Sequence, residues 1–160
     1  MQRITLYTTI NAPIQRCYDL SLSVDLHQLS ADQTKERVVA GVMSGIMKKG
    51  ETVTWRAKHF GVWQELTTLI SETTEPTYFR DVMLKGAFKS LEHDHFFEEK
   101  DGKCLMTDHF DFESPLGVLG NIFNMLVLTK YMTTFLQHRN NMIKDFAESD
   151  KWKVILKTNN

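Results

Sequence analysis

The alternation of apolar and polar residues predicts a strand, two short helices, six further strands and a long final helix. Residues 3–10 alternate with the two-residue period of a half-buried strand. Asn11 and Pro13 favour a helix start, and the apolar residues that follow recur at helical spacing. A second short helix is predicted at residues 24–29.

The central part of the chain is rich in β-branched residues and is divided by turn signals. Two-residue turns are predicted at Phe60-Gly61 and Asp101-Gly102, and the second of these has the composition that hairpins favour most. The first turn places Trp55 opposite Leu66, so that two apolar side chains pair across the strands. The predicted strands are residues 35–42, 52–59, 62–72, 78–85, 91–100 and 103–113.

A long amphipathic helix is predicted to close the chain. Ser114 and Pro115 are typical of a helix start, and helical character continues to about Ser149. The tail, residues 151–160, is predicted to form a short strand or to fray. An antiparallel sheet with one apolar face needs a cover, which this helix supplies. The predicted apolar stripe consists of Leu116, Leu119, Phe123, Leu126, Tyr131, Phe135, Met142 and Phe146.

Composition adds limits to this α+β prediction. A chain of 160 residues suits a single domain, residues 1–160, and its 42% apolar content allows a core large enough to contain a cavity. The net charge of −1 argues against nucleic acid as a partner. Two cysteines are too few for a disulfide framework. The longest apolar stretch, residues 116–128, is too short for a membrane span, and a cytoplasmic location is the default expectation.

The order of elements and several sequence stretches resemble a known superfamily. The stretches are GETVTWRAKHFG at 50–61, FRDVM at 79–83, GAF at 86–88, HDHF at 93–96, PLGVLG at 115–120 and RN at 139–140, together with Asp108. They resemble an uncharacterised bacterial branch of the START/Bet v 1-like superfamily, also called SRPBCC or polyketide cyclase/dehydrase-like. The resemblance covers residues 2–148.

The resemblance implies a helix-grip fold and an internal pocket. In that fold a seven-stranded curved antiparallel sheet wraps around a long C-terminal helix, and two short helices lie between strands 1 and 2. Members of the superfamily hold lipids, sterols, polyketides, plant hormones or quinones, and a minority catalyse cyclisation or other reactions. The fold alone does not choose among these functions.

Polar residues on the predicted inner face are the most informative feature of the sequence. Strand parity places six of them beside apolar side chains: His59, Gln64, Asp81, His93, His95 and Asp108. The register predicts two carboxylate–imidazole pairs, Asp81 with His93 and Asp108 with His95. Buried polar groups are unfavourable unless they form hydrogen bonds. We therefore expect this group to pair internally, to contact a ligand, or both.

Ligand binding is the leading hypothesis for this face, and no metal or cofactor is predicted. The predicted ligand-binding residues are Trp55, His59, Asp81, His93, His95, Asp108, Phe110 and Phe123. Three other interpretations stay open: a structural network that satisfies itself, an Asp–His catalytic dyad, and a metal site formed by His93, His95 and Asp108. The predicted partner is a small hydrophobic or amphipathic molecule.

Two further function classes remain as alternatives, and the chain is more consistent with a binding protein than with an enzyme. The first alternative is a cyclase- or hydrolase-like enzyme that uses an Asp–His pair on a hydrophobic substrate. The second is a protein-interaction domain of the co-chaperone type, with an exposed apolar patch near Trp63.

Overall fold

The computed structural model describes residues 1–31, 34–114 and 121–156, with side chains from residue 126 onward in the last range. Its strands are β1 (Gln2–Ile10), β2 (Arg37–Gly41), β3 (Thr52–His59), β4 (Val62–Thr74), β5 (Tyr78–Lys85), β6 (Ser90–Lys100) and β7 (Lys103–Glu113). Its helices are α1 (Ile14–Ser21), α2 (Val24–Ser30), α3 (Asn121–Glu148) and α4 (Trp152–Leu156).

The strands form one antiparallel sheet in the order β1-β7-β6-β5-β4-β3-β2. All the connections from β2 to β7 join neighbouring strands, whereas β1 pairs with β7 across the length of the chain. Bulges interrupt the pairing of β2 with β3 and of β4 with β5, and bulges bend and twist the strands that contain them. The seven-stranded antiparallel prediction is confirmed.

The two predicted hairpin turns set the strand register. Phe60 and Gly61 have φ angles of 50° and 80°, and Asp101 and Gly102 have 53° and 71°. Positive φ at both central positions is the type I′ geometry, whose twist matches that of the flanking strands. As predicted, Trp55 pairs with Leu66.

Helix α3 packs against β1, α1 and α2. Among its described residues the buried apolar side chains are Met132, Leu136, Ile143 and Ala147, each one residue beyond a position of the predicted stripe. The most deeply buried line is therefore offset by about 100° from the predicted stripe, since successive residues differ by that angle. Of the described stripe residues, Leu126 is exposed, whereas Tyr131, Phe135, Met142 and Phe146 are partly buried and pack against the core.

The apolar interior has two clusters. The larger includes α1, α2 and the ends of β3, β6 and β7, and it contains both Cys17 and Cys104 as buried free thiols. The smaller lies where β1, β6 and β7 meet α3, around Phe110, Phe112 and Leu136. The polar groups of the candidate site come from strands that contribute to both clusters.

Three local expectations have different outcomes. Helix α1 starts after Pro13 as its N-cap, without a side-chain hydrogen bond; Asn11 is not the N-cap, and its backbone N–H donates to Glu148. The tail begins with the short helix α4 rather than a strand. The predicted helix start at Pro115 lies outside the described residues.

Within the part of the chain that the structure describes, no helix combines the length and apolar character needed to cross a membrane.

Candidate functional site

A cavity of about 450 Å³ lies between the inner face of the sheet and helix α3. The wall comes from strands β3 to β7 and from helices α2 and α3. Side chains alternate between the two faces of a strand, so every second strand residue points into the cavity. Most of the wall is apolar. The larger apolar side chains include Leu22, Val24, Met47, Val53, Trp55, Leu66, Ile70, Phe79, Phe88, Leu91, Phe110, Leu128, Met132, Phe135 and Leu136.

Polar side chains reach the cavity at a few places on this apolar wall. They include Asp81 of β5, His93 of β6 and Arg139 of α3. The Arg139 guanidinium donates to the carbonyl oxygen of Ser21 at 3.0 Å, which fixes its position beside α1. A mostly apolar cavity with a few convergent polar groups is typical of a site for a small molecule.

Behind this wall, His95 connects two carboxylates. Its Nε2 atom is 3.1 Å from Asp81 Oδ2, and its Nδ1 atom is 2.9 Å from Asp108 Oδ1. The His95 side chain is only 2% exposed, so it lies in the protein interior rather than in the cavity. An imidazole with a carboxylate at each nitrogen is well placed to carry a proton on both.

Asp108 is the centre of this group of side chains. Its Oδ1 atom also accepts from His93 Nε2 at 3.1 Å, and its Oδ2 atom accepts from the Asn140 amide at 2.6 Å. Three nitrogen donors therefore surround one buried carboxylate. Asp81, His93, His95, Asp108 and Asn140 are called the polar cluster below.

Aromatic contacts hold the two imidazoles in place. The rings of His93 and His95 lie 3.8 Å apart between centroids. Phe79 stacks on the far side of His95 at 4.1 Å, and Phe110 contacts His93 edge-on at 5.1 Å. This packing restricts ring rotation, so the hydrogen-bond partners on each nitrogen are fixed by the fold.

The electrostatics of the polar cluster separate its two histidines. Burial alone lowers the pKa of His95, but Asp108 and Asp81 outweigh burial and raise that pKa above its usual value. Burial and the neighbouring charge of His95 lower the pKa of His93. Burial alone raises the pKa of Asp108, and the two histidines more than reverse this, so the carboxyl stays ionised. The same opposition holds the pKa of Asp81 below its usual value.

Two further histidines line the cavity away from the polar cluster. His59 Nδ1 is 2.7 Å from the Tyr131 hydroxyl, and burial lowers the pKa of His59. His27 stacks on Trp55 at 4.0 Å, and its Nε2 atom is 2.9 Å from Glu36 Oε1. Two further polar groups therefore lie on the cavity wall, the His59–Tyr131 pair between β3 and α3 and the His27–Glu36 pair beside α2.

The eight predicted ligand-binding residues fall into three groups. Trp55, His59, Asp81, His93 and Phe110 line the cavity. His95 and Asp108 are buried behind Asp81 and His93. The side chain of Phe123 lies outside the described part of the chain. The sequence analysis assigned no role to His27, Glu36, Arg139 or Asn140. Polar residues within the apolar face of α3 were a signal that could have identified Arg139 and Asn140.

The predicted carboxylate–imidazole pairs are partly corrected. Asp81 pairs with His93 in the strand register, as predicted. However, Asp81 Oδ2 is 3.9 Å from His93 Nδ1 and makes its hydrogen bond to His95 instead. The predicted contact between Asp108 and His95 is present, and Asp108 also binds His93. The network is therefore shared rather than made of two separate pairs.

On the outer face, Asp94 and His109 lie opposite each other in the register of β6 and β7. Asp94 is nevertheless buried, because Arg80 donates to it through two nitrogens at 2.7 and 2.9 Å and the Tyr78 hydroxyl donates at 2.7 Å. Trp63 faces outward as predicted, and the Arg56 guanidinium lies 5.4 Å from its ring centre.

Solved structures share this architecture along nearly their whole length. A START superfamily protein from Mycobacterium smegmatis superposes with a TM-score of 0.69 at 13% identity, covering 91% of this chain and 97% of that one. The chain has the helix-grip fold of START and Bet v 1-like proteins. Ginseng major latex-like protein 151 from Panax ginseng gives a TM-score of 0.66 at 16% identity, with 92% and 98% covered. TTHA0849 from Thermus thermophilus gives 0.69 at 16% identity, with 89% and 97% covered.

This likeness supports the predicted fold at the level of architecture. No protein-family model matches the sequence, and no curated protein matches it. Helix-grip proteins differ in what they bind and do, so function has to be argued from the cavity and the side chains that line it.

Proposed function

We propose that this helix-grip protein binds a small, largely apolar molecule in the cavity between the sheet and α3. The observation that carries the proposal is the cavity itself. Its volume of about 450 Å³ lies within the range of roughly 300–1,000 Å³ that is usual for small-molecule sites. Close-packed protein interiors rarely leave voids larger than a water molecule, so a cavity of this size is better explained as a ligand site than as a packing defect.

The wall suggests that the ligand is amphipathic. Aromatic and aliphatic side chains surround most of the cavity, and contact with them favours an apolar body. Asp81, His93 and Arg139 supply polar groups at one region of the wall, where they can accept from or donate to a polar end. Such a division of the wall would orient the ligand, with its polar end toward β5, β6 and α3.

A fluorescence titration with the apolar dye ANS tests this proposal. The Ala57→Leu variant places a larger side chain on the buried cavity wall, and we expect it to weaken ANS binding several-fold. The Ala40→Leu variant is the matched control, because Ala40 is an exposed strand residue outside the cavity lining. This control should bind ANS with the same affinity as the unaltered protein.

Equal ANS binding by the two alanine variants would contradict the proposal, because it would place the dye outside the cavity. Circular dichroism of both variants serves as the folding check. A stable protein complex recovered through the surface around Trp63, with no dye bound in the cavity, would favour the protein-interaction alternative instead.

A further inference from the structure

Three potential metal ligands converge at the cavity side of the polar cluster. They come from Asp81, His93 and His95, and one ligand atom of each lies within 4.8 Å of the other two. The Asp81 oxygen is 3.1 Å from the His95 nitrogen and 3.9 Å from the His93 nitrogen. Ligand atoms about 2.1 Å from a zinc ion are about 3.0–3.4 Å apart in octahedral or tetrahedral geometry. The Asp81–His95 distance already lies in that range, and the Asp81–His93 distance exceeds it by about half an ångström.

Asp108 holds the opposite nitrogen of each imidazole. His93 Nε2 and His95 Nδ1 both lie within hydrogen-bonding distance of Asp108 Oδ1, at 3.1 and 2.9 Å. When these nitrogens carry the protons and His95 Nε2 has released its own to an incoming metal ion, the other two nitrogens each offer a lone pair on the side of Asp81. A carboxylate on the far nitrogen of a histidine is the usual support for a metal ligand, since it fixes the tautomer and the ring orientation.

The support is itself held in place. Asn140 on α3 donates to Asp108 Oδ2 at 2.6 Å and lies 3.3 Å from the Thr8 hydroxyl. The carboxylate of Asp108 is therefore fixed from two sides, by the imidazoles of β6 and by the amide of α3. A bound divalent cation would replace the proton that His95 Nε2 donates to Asp81, and its charge would offset those of the two carboxylates.

Two of the three converging side chains reach the cavity, and His95 lies directly behind them. Asp81 and His93 line it, and the Asp81 side chain is 18% exposed, compared with 2% for Asp108. A metal held by three protein groups at a cavity wall keeps further coordination positions for water or a ligand. Three protein ligands with an open position are typical of catalytic rather than structural zinc sites, and two histidines with one carboxylate also suit iron(II).

We propose that Asp81, His93 and His95 bind a divalent transition-metal ion, Zn²⁺ or Fe²⁺, at the cavity wall, with Asp108 orienting both imidazoles. The sequence favoured no metal because the carboxylates were expected to hold the imidazoles. The structure assigns that role to Asp108 and leaves Asp81 as the third ligand. Metal binding at this site does not depend on which organic molecule the cavity takes.

The test is a titration of metal-free protein with Co²⁺, followed by competition with Zn²⁺. We expect one equivalent of Co²⁺ to give the visible absorption of a protein-bound ion, and Zn²⁺ to displace it. His93→Gln and Asp81→Asn remove a ligand each and should abolish the signal. Asp108→Asn, which changes only the support, should weaken binding by about 10- to 100-fold.

His109→Gln is the matched control, because His109 faces the outer side of the same sheet and contacts Phe96. It should bind Co²⁺ like the unaltered protein. Near-ultraviolet circular dichroism shows whether each variant is folded, and Asp81→Asn keeps the size of its side chain, so at least one ligand variant is expected to fold. A Co²⁺ spectrum identical to that of the free aqueous ion would overturn the proposal. Co²⁺ binding that persists in both folded ligand variants would do the same.

Discussion

Asp108→Ala is expected to destabilise the fold by about 3–5 kcal/mol, because it removes one partner of a buried ion pair. Asp108 is 1% exposed and faces His93 Nε2, His95 Nδ1 and the Asn140 amide. A buried donor without an acceptor is unfavourable by about 1–3 kcal/mol, so three donors give about 3–9 kcal/mol. The lower part of that range applies, since His95 can release its second proton and water can enter the space left by the carboxylate.

The matched control for this substitution is Asp111→Ala on the same strand. Asp111 accepts from Arg3 through two nitrogens at 2.8 and 2.6 Å, but the Arg3 side chain is 57% exposed. Water solvates the arginine when its partner is removed, so the loss should be much smaller than for Asp108. The comparison separates burial of the partners from the number of hydrogen bonds.

Urea unfolding followed by tryptophan fluorescence, with EDTA present to exclude metal binding, measures the free energy of unfolding of each variant. We expect the free energy of unfolding to fall strongly in Asp108→Ala and slightly in Asp111→Ala. The slope of that free energy against urea concentration should be similar in the two variants. If the two variants lost equal stability, or if Asp108→Ala lay within about 1 kcal/mol of the unaltered protein, the polar cluster would not have the buried character described above.

Two further predictions concern titration. Burial lowers the pKa of His59 in the folded state, so the unfolded chain binds more protons and stability falls as the pH drops below about 6.5. His59→Gln should flatten this dependence in thermal unfolding between about pH 7.5 and 5.5, and an unchanged slope would refute it. Burial and the hydrogen bond to Asp94 raise the pKa of Tyr78 to about 12. Asp94→Ala should shift one tyrosine to lower pH in a near-ultraviolet titration, and superimposable curves would count against it.

The strand order and register follow from the sequence because they depend on short-range signals. Alternation assigns each side chain to a face, and the two-residue turns at Phe60-Gly61 and Asp101-Gly102 fix which residues lie opposite each other. These signals were sufficient to place His95 opposite Asp108 in adjacent strands. The same parity placed Trp55, His59, Asp81, His93 and Phe110 on the side of the sheet that faces the cavity.

The hydrogen-bond partners within the polar cluster did not follow from the register. Directly opposite and diagonal neighbours both lie within reach of a long side chain, and rotamers decide between them. Asp81 is therefore opposite His93 but hydrogen-bonds to His95. Strand pairing alone contains no information about this choice.

The contribution of α3 was the hardest part to predict. A long helix with apolar residues on several sides does not define its rotation against the sheet, and the predicted stripe was one residue away from the buried one. Met132, Leu136, Asn140 and Ile143 follow helical spacing, and a polar residue within that series indicates a buried partner. That pattern would have identified Asn140 as part of the site.

Native mass spectrometry of the protein purified from its own organism, without added ligand, tests ligand binding most directly. The account predicts a species heavier than the chain by the mass of one small organic molecule, which is released when the protein is denatured. Finding the mass of the bare chain throughout, or a metal ion alone with no organic molecule, would contradict the assignment of the cavity as an occupied binding site.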